Sequence, residues 1–244
     1  MSFKSVFTSS QYSKVLHIRQ SNQCLQVAFA HQSILVVRAR SVHLFAHPTL
    51  QPEPEVHTPI ATHCFGWSDA VSVTQLHNDR LPYPALSLLV RAETDNPWSE
   101  DRRTVDLYTL SPNPQYTPGS TTSPYTFPPS LTVRILSRRG SLRCTNLILG
   151  QHGTAIWITP RNFSFSLTWL SSIDNLSPDL NPHIPPSEHE SLVAAVLPGP
   201  FAHQVKTQVL QSNPSGTWTA LDYDEMAGRI ALGSSMGQVS ILEL

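Results

Sequence analysis

His57, His63, Cys64 and His77 are the grouping whose side-chain types come closest to a zinc site. Neutral imidazole and thiolate are good ligands for that ion. The spacing matches no zinc signature, and adjacent His63 and Cys64 would point to opposite faces of a strand. With 11 histidines spread along the chain, such a grouping arises readily without a site, and neither metal nor cofactor is expected. A second cluster is acidic: Asp222, Asp224 and Glu225 in LDYDE. Neighbouring carboxylates can hold calcium or share acid–base work. Beside a turn, their plainer use is to accept hydrogen bonds from backbone N–H groups.

GSSMG at 233–237 is the nearest approach to a nucleophile elbow, but it lies between two strand-like runs and reads as a hairpin turn. HExxH and P-loop motifs are absent from the sequence. RRGS at 138–141 places two arginines before Ser141. A basophilic kinase reads that charge pattern, so Ser141 is a candidate phosphosite, while Gly140 equally fits a solvated turn. Trp98 stands in the polar loop TDNPWSEDRR beside Asp95, Arg102 and Arg103. An aromatic ringed by charges is the composition of an interface anchor, and these four are the candidate partner contacts. The alternative is that Trp98 folds back over its own sheet.

Strands must carry these residues. Charged residues make up only 14% of the chain, too few for long solvated helices, which draw on abundant Glu and Lys. Proline, at 21 of 244 residues, belongs in connections because it breaks helices and interior strands. The formal net charge of −1 leaves no electrostatic footprint for nucleic acid. No apolar run is long enough to span a membrane as a helix, and the first residues lack a secretory apolar core. Cys24, Cys64 and Cys144 read as free thiols of a reducing compartment. Cytoplasm or nucleus is therefore the expected location, and the sequons at Asn162 and Asn175 are expected to be chance.

The clearest segment is 33–46, SILVVRARSVHLFA: two strand-like runs joined by a tight hairpin at Arg38 to Ser41. Similar pairs follow, ALSLLVRAE with TVDLYTL and RIALG with VSILEL. The expected fold is all-β, a propeller-like array of about four to five antiparallel four-stranded blades, incomplete or open. The whole of 1–244 reads as one domain. Its blades are placed at 13–47 (a partial one), 60–110, 131–170 and 190–244, with the Pro-rich loops 111–130 and 174–187 between them. A two-sheet sandwich is the other possible architecture. A strand from one end that completes the blade at the other would come from 13–19 (SKVLHIR) or 24–30 (CLQVAFA). Without it, edge strands stay open.

WTALDYDEMAGRIALGSSMGQVSILEL resembles the closing blade of WD-repeat-like propeller proteins from mushroom-forming fungi, in which a similar stretch often follows an F-box. ILVVRARSVHLF, LSLLVRAE…NPW and LRCTNLILGQHGTAIWITP fit the same family, so the resemblance extends over most of the chain. The chain departs from that family in having no Trp-Asp dipeptide, and no F-box is seen in it. The resemblance implies a protein-binding scaffold, in its most specific form the substrate-recognition part of an F-box-type ubiquitin-ligase adaptor. The expected partner is a protein, with no nucleic acid and no membrane. The alternatives are a propeller-fold hydrolase, or a truncated fragment without function. A hydrolase would require Asp69, Asp222 or Asp224 to meet His17, His63 or His77 in one pocket.

Overall fold

A computed structural model describes residues 23–47, 57–76, 82–93, 103–120, 122–137, 142–160, 189–197 and 205–244. Among the described residues the regular structure is all strand, and no helix is long and apolar enough to cross a membrane. The described residues hold fifteen strands in four antiparallel sheets, none closed on itself among these residues. The first sheet holds β1 (Cys24–Ala30), β2 (Ser33–Arg38), β3 (Ser41–Ala46) and β4 (Ala61–Cys64). The second holds β5 (Trp67–Leu76), β6 (Ala85–Glu93), β7 (Arg103–Leu110) and β8 (Ser130–Ser137). The third holds β9 (Leu147–Leu149), β10 (Thr154–Thr159), β11 (Glu190–Val196) and β12 (Lys206–Asn213). The last has three strands, β13 (Trp218–Asp224), β14 (Arg229–Ser234) and β15 (Val239–Glu243).

The hairpin expected at Arg38 to Ser41 is present, with Val37 opposite Val42. The sheet boundaries fall elsewhere than the long loops suggest. Ala61–Cys64 closes the first sheet by pairing with β3, and only Phe65 and Gly66 separate it from β5. Ser130–Ser137 pairs with β7 across the Pro-rich loop, so that loop lies inside the second sheet. Likewise β11 pairs with β10 and belongs to the third sheet, not the last. The run 163–170 lies outside the described residues. Gly233 is a strand residue rather than a turn: a Cβ there would come within 3.1 Å of Ala220 Cβ across the pair.

Burial explains the strand compositions. The middle sheets are covered on both faces, so β6 and β10 are apolar almost throughout. Leu86, Leu88 and Val90 pack against Leu35, Val37, Val42 and Leu44 of the first sheet. Leu89, on the other face of β6, packs with Val105 and Leu107 against Leu149 and Trp157 of the third. Ile156 and Ile158 then face Leu221, Ile230 and Leu232 of the last sheet. Among the described residues the two end sheets are covered on one face only, and β2 and the middle of β14 alternate between buried and part-buried residues. Their outer faces leave Phe29 73% and Ile241 57% exposed.

The loop 111–129 is a built element. Asn113 N–H donates to Pro124 O at 2.8 Å and Thr126 N–H to Ser111 O at 2.9 Å, which hold the two limbs together. Tyr125 is buried in the core between the first and second sheets. Its hydroxyl accepts from His31 N–H and donates to Pro84 O.

Candidate functional site

The first strands of the four sheets, β1, β5, β9 and β13, are successive neighbours. Polar side chains tie them together. Val73 N–H donates to Gln26 Oε1 at 3.0 Å, Leu149 N–H to Ser72 Oγ at 2.9 Å, and Asn146 Nδ2 to Leu221 O at 2.9 Å. The starts of β1, β5 and β9 and the middle of β13 surround one open cleft of about 390 Å³. Gln23, Cys24, Asp69, Thr145, Asn146 and Asp222 supply its polar lining. One sheet contributes too little polar surface to make such a site. Four adjacent strands and the residues that lead into them supply two amides, a thiol, a hydroxyl and two carboxylates.

Asp69 is not a free acid. Arg91, 2% exposed on β6, donates from Nε to Asp69 Oδ1 at 2.7 Å and from Nη2 to Thr145 O at 2.9 Å. The guanidinium fixes the carboxylate and staples the second sheet to the third beneath the cleft. Asp222 is exposed, and its Oδ1 accepts from Tyr223 N–H at 2.9 Å. The cleft is therefore equipped to bind a polar or cationic group through fixed acceptors.

Asp69 and Asp222 share this cleft, whereas a hydrolase would require one of them to meet a histidine there, and no described histidine lines it. His63 sits on β4, the strand of the first sheet farthest from β1, edge-on to Phe65, and burial holds its imidazole below the usual value. His63 is half-buried and Cys64 exposed, in keeping with opposite faces of a strand. His57 is exposed, whereas His17 and His77 lie outside the described residues. Among the described residues no three His, Cys, Asp or Glu side chains gather to hold a metal ion.

The other acids of LDYDE hold turns. Asp224 Oδ1 accepts from Ala227 N–H at 3.0 Å. Glu225 reaches across to the third sheet, where its two oxygens accept from His152 N–H at 2.8 Å and Thr154 N–H at 3.1 Å. Burial pushes this carboxyl up. The backbone bond from His152 and the bonds from Thr154 outweigh it, and the net displacement is downward. Sequence reasoning assigns these acids to their own turn. That Glu225 caps a turn of a different sheet carries no local signal apart from Gly150, whose missing Cβ makes room for the carboxyl.

Of the candidate contacts in the 94–103 loop, Trp98, Asp95 and Arg102 lie outside the described residues, as does Ser141. Arg103 opens β7 and its Nη2 lies 3.0 Å from Glu93 Oε1, an ion pair across the base of that loop. The register puts Glu93 opposite Trp67, at the strand ends where the cleft opens. Thr159 and Ser191, which bracket the connection 160–189, pair at that same end. The loops 48–59 and 111–129 leave from the opposite end. No family model, curated protein or solved structure matches the chain.

Proposed function

We propose that the chain is a protein-binding scaffold of the propeller type, and not an enzyme, which recognises its partner at the cleft formed by the four first strands. One observation carries the reading: four sheets contribute polar groups to a single cleft, and the connections 94–102 and 160–189 open from the same end. Loops of variable sequence on a rigid β frame suit protein recognition. The exposed carboxylate of Asp222 favours a partner that offers a basic side chain to the cleft. In its most specific form, following the fungal resemblance, the partner is a degradation substrate and the scaffold serves an F-box-type ligase.

The test is capture of binding proteins from native extract by the full chain, by Asp222→Arg and by Trp98→Ala, all shown to be folded. A protein retained by the parent and lost with Asp222→Arg supports the reading. Equal retention by all three, or no specific protein at all, overturns it. Turnover of ester or glycoside substrates that Asp222→Asn abolishes would favour the hydrolase instead.

A further inference from the structure

We propose that two copies of the chain pair in solution, the outer face of each copy's first sheet packing on the outer face of the other copy's last sheet. The first of these faces is apolar. Directly opposed residues share a face, and the register sets Phe29, Ile34 and Phe45 in one row and Val27, Val36 and His43 in the next. None of the five apolar residues belongs to the core between the first and second sheets, and Phe29 is 73% and Val27 50% exposed. β2 is thus apolar on both faces, as β6 and β10 are, which is the composition of a strand covered on both sides. Among the described residues only its inner face is covered.

The last sheet presents the counterpart. Ala220, Gly233 and Val239 form one row of its outer face, and Asp222, Ala231 and Ile241 the next. Its small residues leave room for the bulky rings of Phe29 and Phe45. The charges are of opposite sign: Arg38 on the first face, and Asp222, Asp224 and Glu243 against the lone Arg229 on the second. Within one chain the two faces do not meet, since Phe29 and Ile241 both stay exposed. The four first strands surround one cleft that β1 and β13 both line, so the sheets radiate from a common axis as an arc. Two arcs of four sheets related by a two-fold axis make the contact twice and form a ring of eight, within the range of about four to eight sheets that such rings span. Area favours the double contact. A face of three or four strands of this length covers about 300–400 Å². One sheet-on-sheet contact therefore removes about 600–800 Å² over both partners, too little for a specific interface, whereas two remove about 1,200–1,600 Å², which is enough. The association does not depend on what the cleft binds. Dilution returns the monomer, in which both faces are open.

The experiment is sedimentation equilibrium of the full chain over a wide concentration series, alone and with Phe29→Lys or Ile241→Asp. Both substitutions are at exposed positions, so the fold should survive, and unfolding midpoints check this. Val27→Lys and Val239→Asp supply a second change on each face. The parent should show a reversible monomer–dimer equilibrium. Each variant alone should dimerise at least tenfold more weakly, because every contact uses one face of each kind. An equimolar mixture of Phe29→Lys and Ile241→Asp should regain association, since one of its two contacts is unaltered and the other sets Lys against Asp. A parent that stays monomeric throughout overturns the proposal. Loss with Phe29→Lys but not with Ile241→Asp also overturns it, because the first sheet then pairs with its own copy. A ladder of larger assemblies, or a mixture no stronger than the separate variants, does the same.

Discussion

Arg91 and Asp69 are joined by a 2.7 Å charged hydrogen bond that sits directly under the cleft, with the guanidinium 2% and the carboxylate 22% exposed. The pair thus serves the site and the fold together, because the same guanidinium also reaches Thr145 O, just ahead of β9 of the third sheet. Removing one member of a buried pair strands the other's charge, at roughly 3–5 kcal/mol. Asp69→Ala should fall within that range, since it strands a guanidinium that is 2% exposed. Arg91→Met should cost less than Asp69→Ala. It removes the buried charge itself, and Arg91 Nη1 has no acceptor to lose. Urea unfolding midpoints of the two variants check the order.

Glu225 links stability to pH. Its folded-state affinity for a proton is lower than the unfolded one, so the unfolded chain binds more protons in acid. The contribution is complete above the ordinary glutamate value of about 4.3 and disappears as pH falls through the lower folded value. Glu225→Gln should therefore flatten the stability profile below pH ~4.5 and leave its shape from pH 6 to 8 unchanged. Gly150→Ala should act on the same contact, because its Cβ would fall 2.3 Å from the Glu225 carboxyl carbon. Denaturation midpoints measured from pH 3 to 8 give both results.

The middle sheets should be the most sensitive to truncation. Leu88→Ala and Leu89→Ala lie on opposite faces of β6, and both side chains are fully buried. Each should cost about 2–5 kcal/mol. Phe29→Ser, on the open outer face of the first sheet, should change the stability of the dilute monomer by less than about 0.5 kcal/mol. A large loss at Phe29 would mean that the outer face is covered in solution.

Tyr125 pins the 111–129 loop to the core. Tyr125→Phe keeps the ring and loses only the bonds to His31 N–H and Pro84 O, at about 1 kcal/mol. Tyr125→Ala should cost roughly 3–5 kcal/mol and open the loop to protease. Limited proteolysis of the two variants distinguishes loss of a bond from loss of the anchor.

The thiols should differ in reactivity. Cys24 and Cys64 are exposed, and Cys144 is buried among Ile156, Ile158 and Leu192. Burial pushes the Cys144 thiol up and keeps it protonated. Two thiols should react promptly with a disulfide reagent and the third only on unfolding. Three prompt equivalents would contradict the packing of the third and fourth sheets.

Local chemistry was sufficient to identify strands. Alternation marks β2 and β3, a continuous apolar run marks β6, and the turn at Arg38 to Ser41 falls where the sequence places it. Trp157 and Trp218 are core residues, as their strand settings imply. Pairing was not legible in the same way. A long loop adds little closure entropy, so 111–129 can run between two strands of one sheet while two residues separate different sheets. Strand propensity is a property of a few neighbouring residues, whereas a strand's sheet is decided by which edge and which apolar face it meets. For the same reason the sequence determined that Asp69, Asn146 and Asp222 exist on strand-rich segments. Only the packing of four sheets, tied by Arg91 and the polar bonds between first strands, brought them to one cleft.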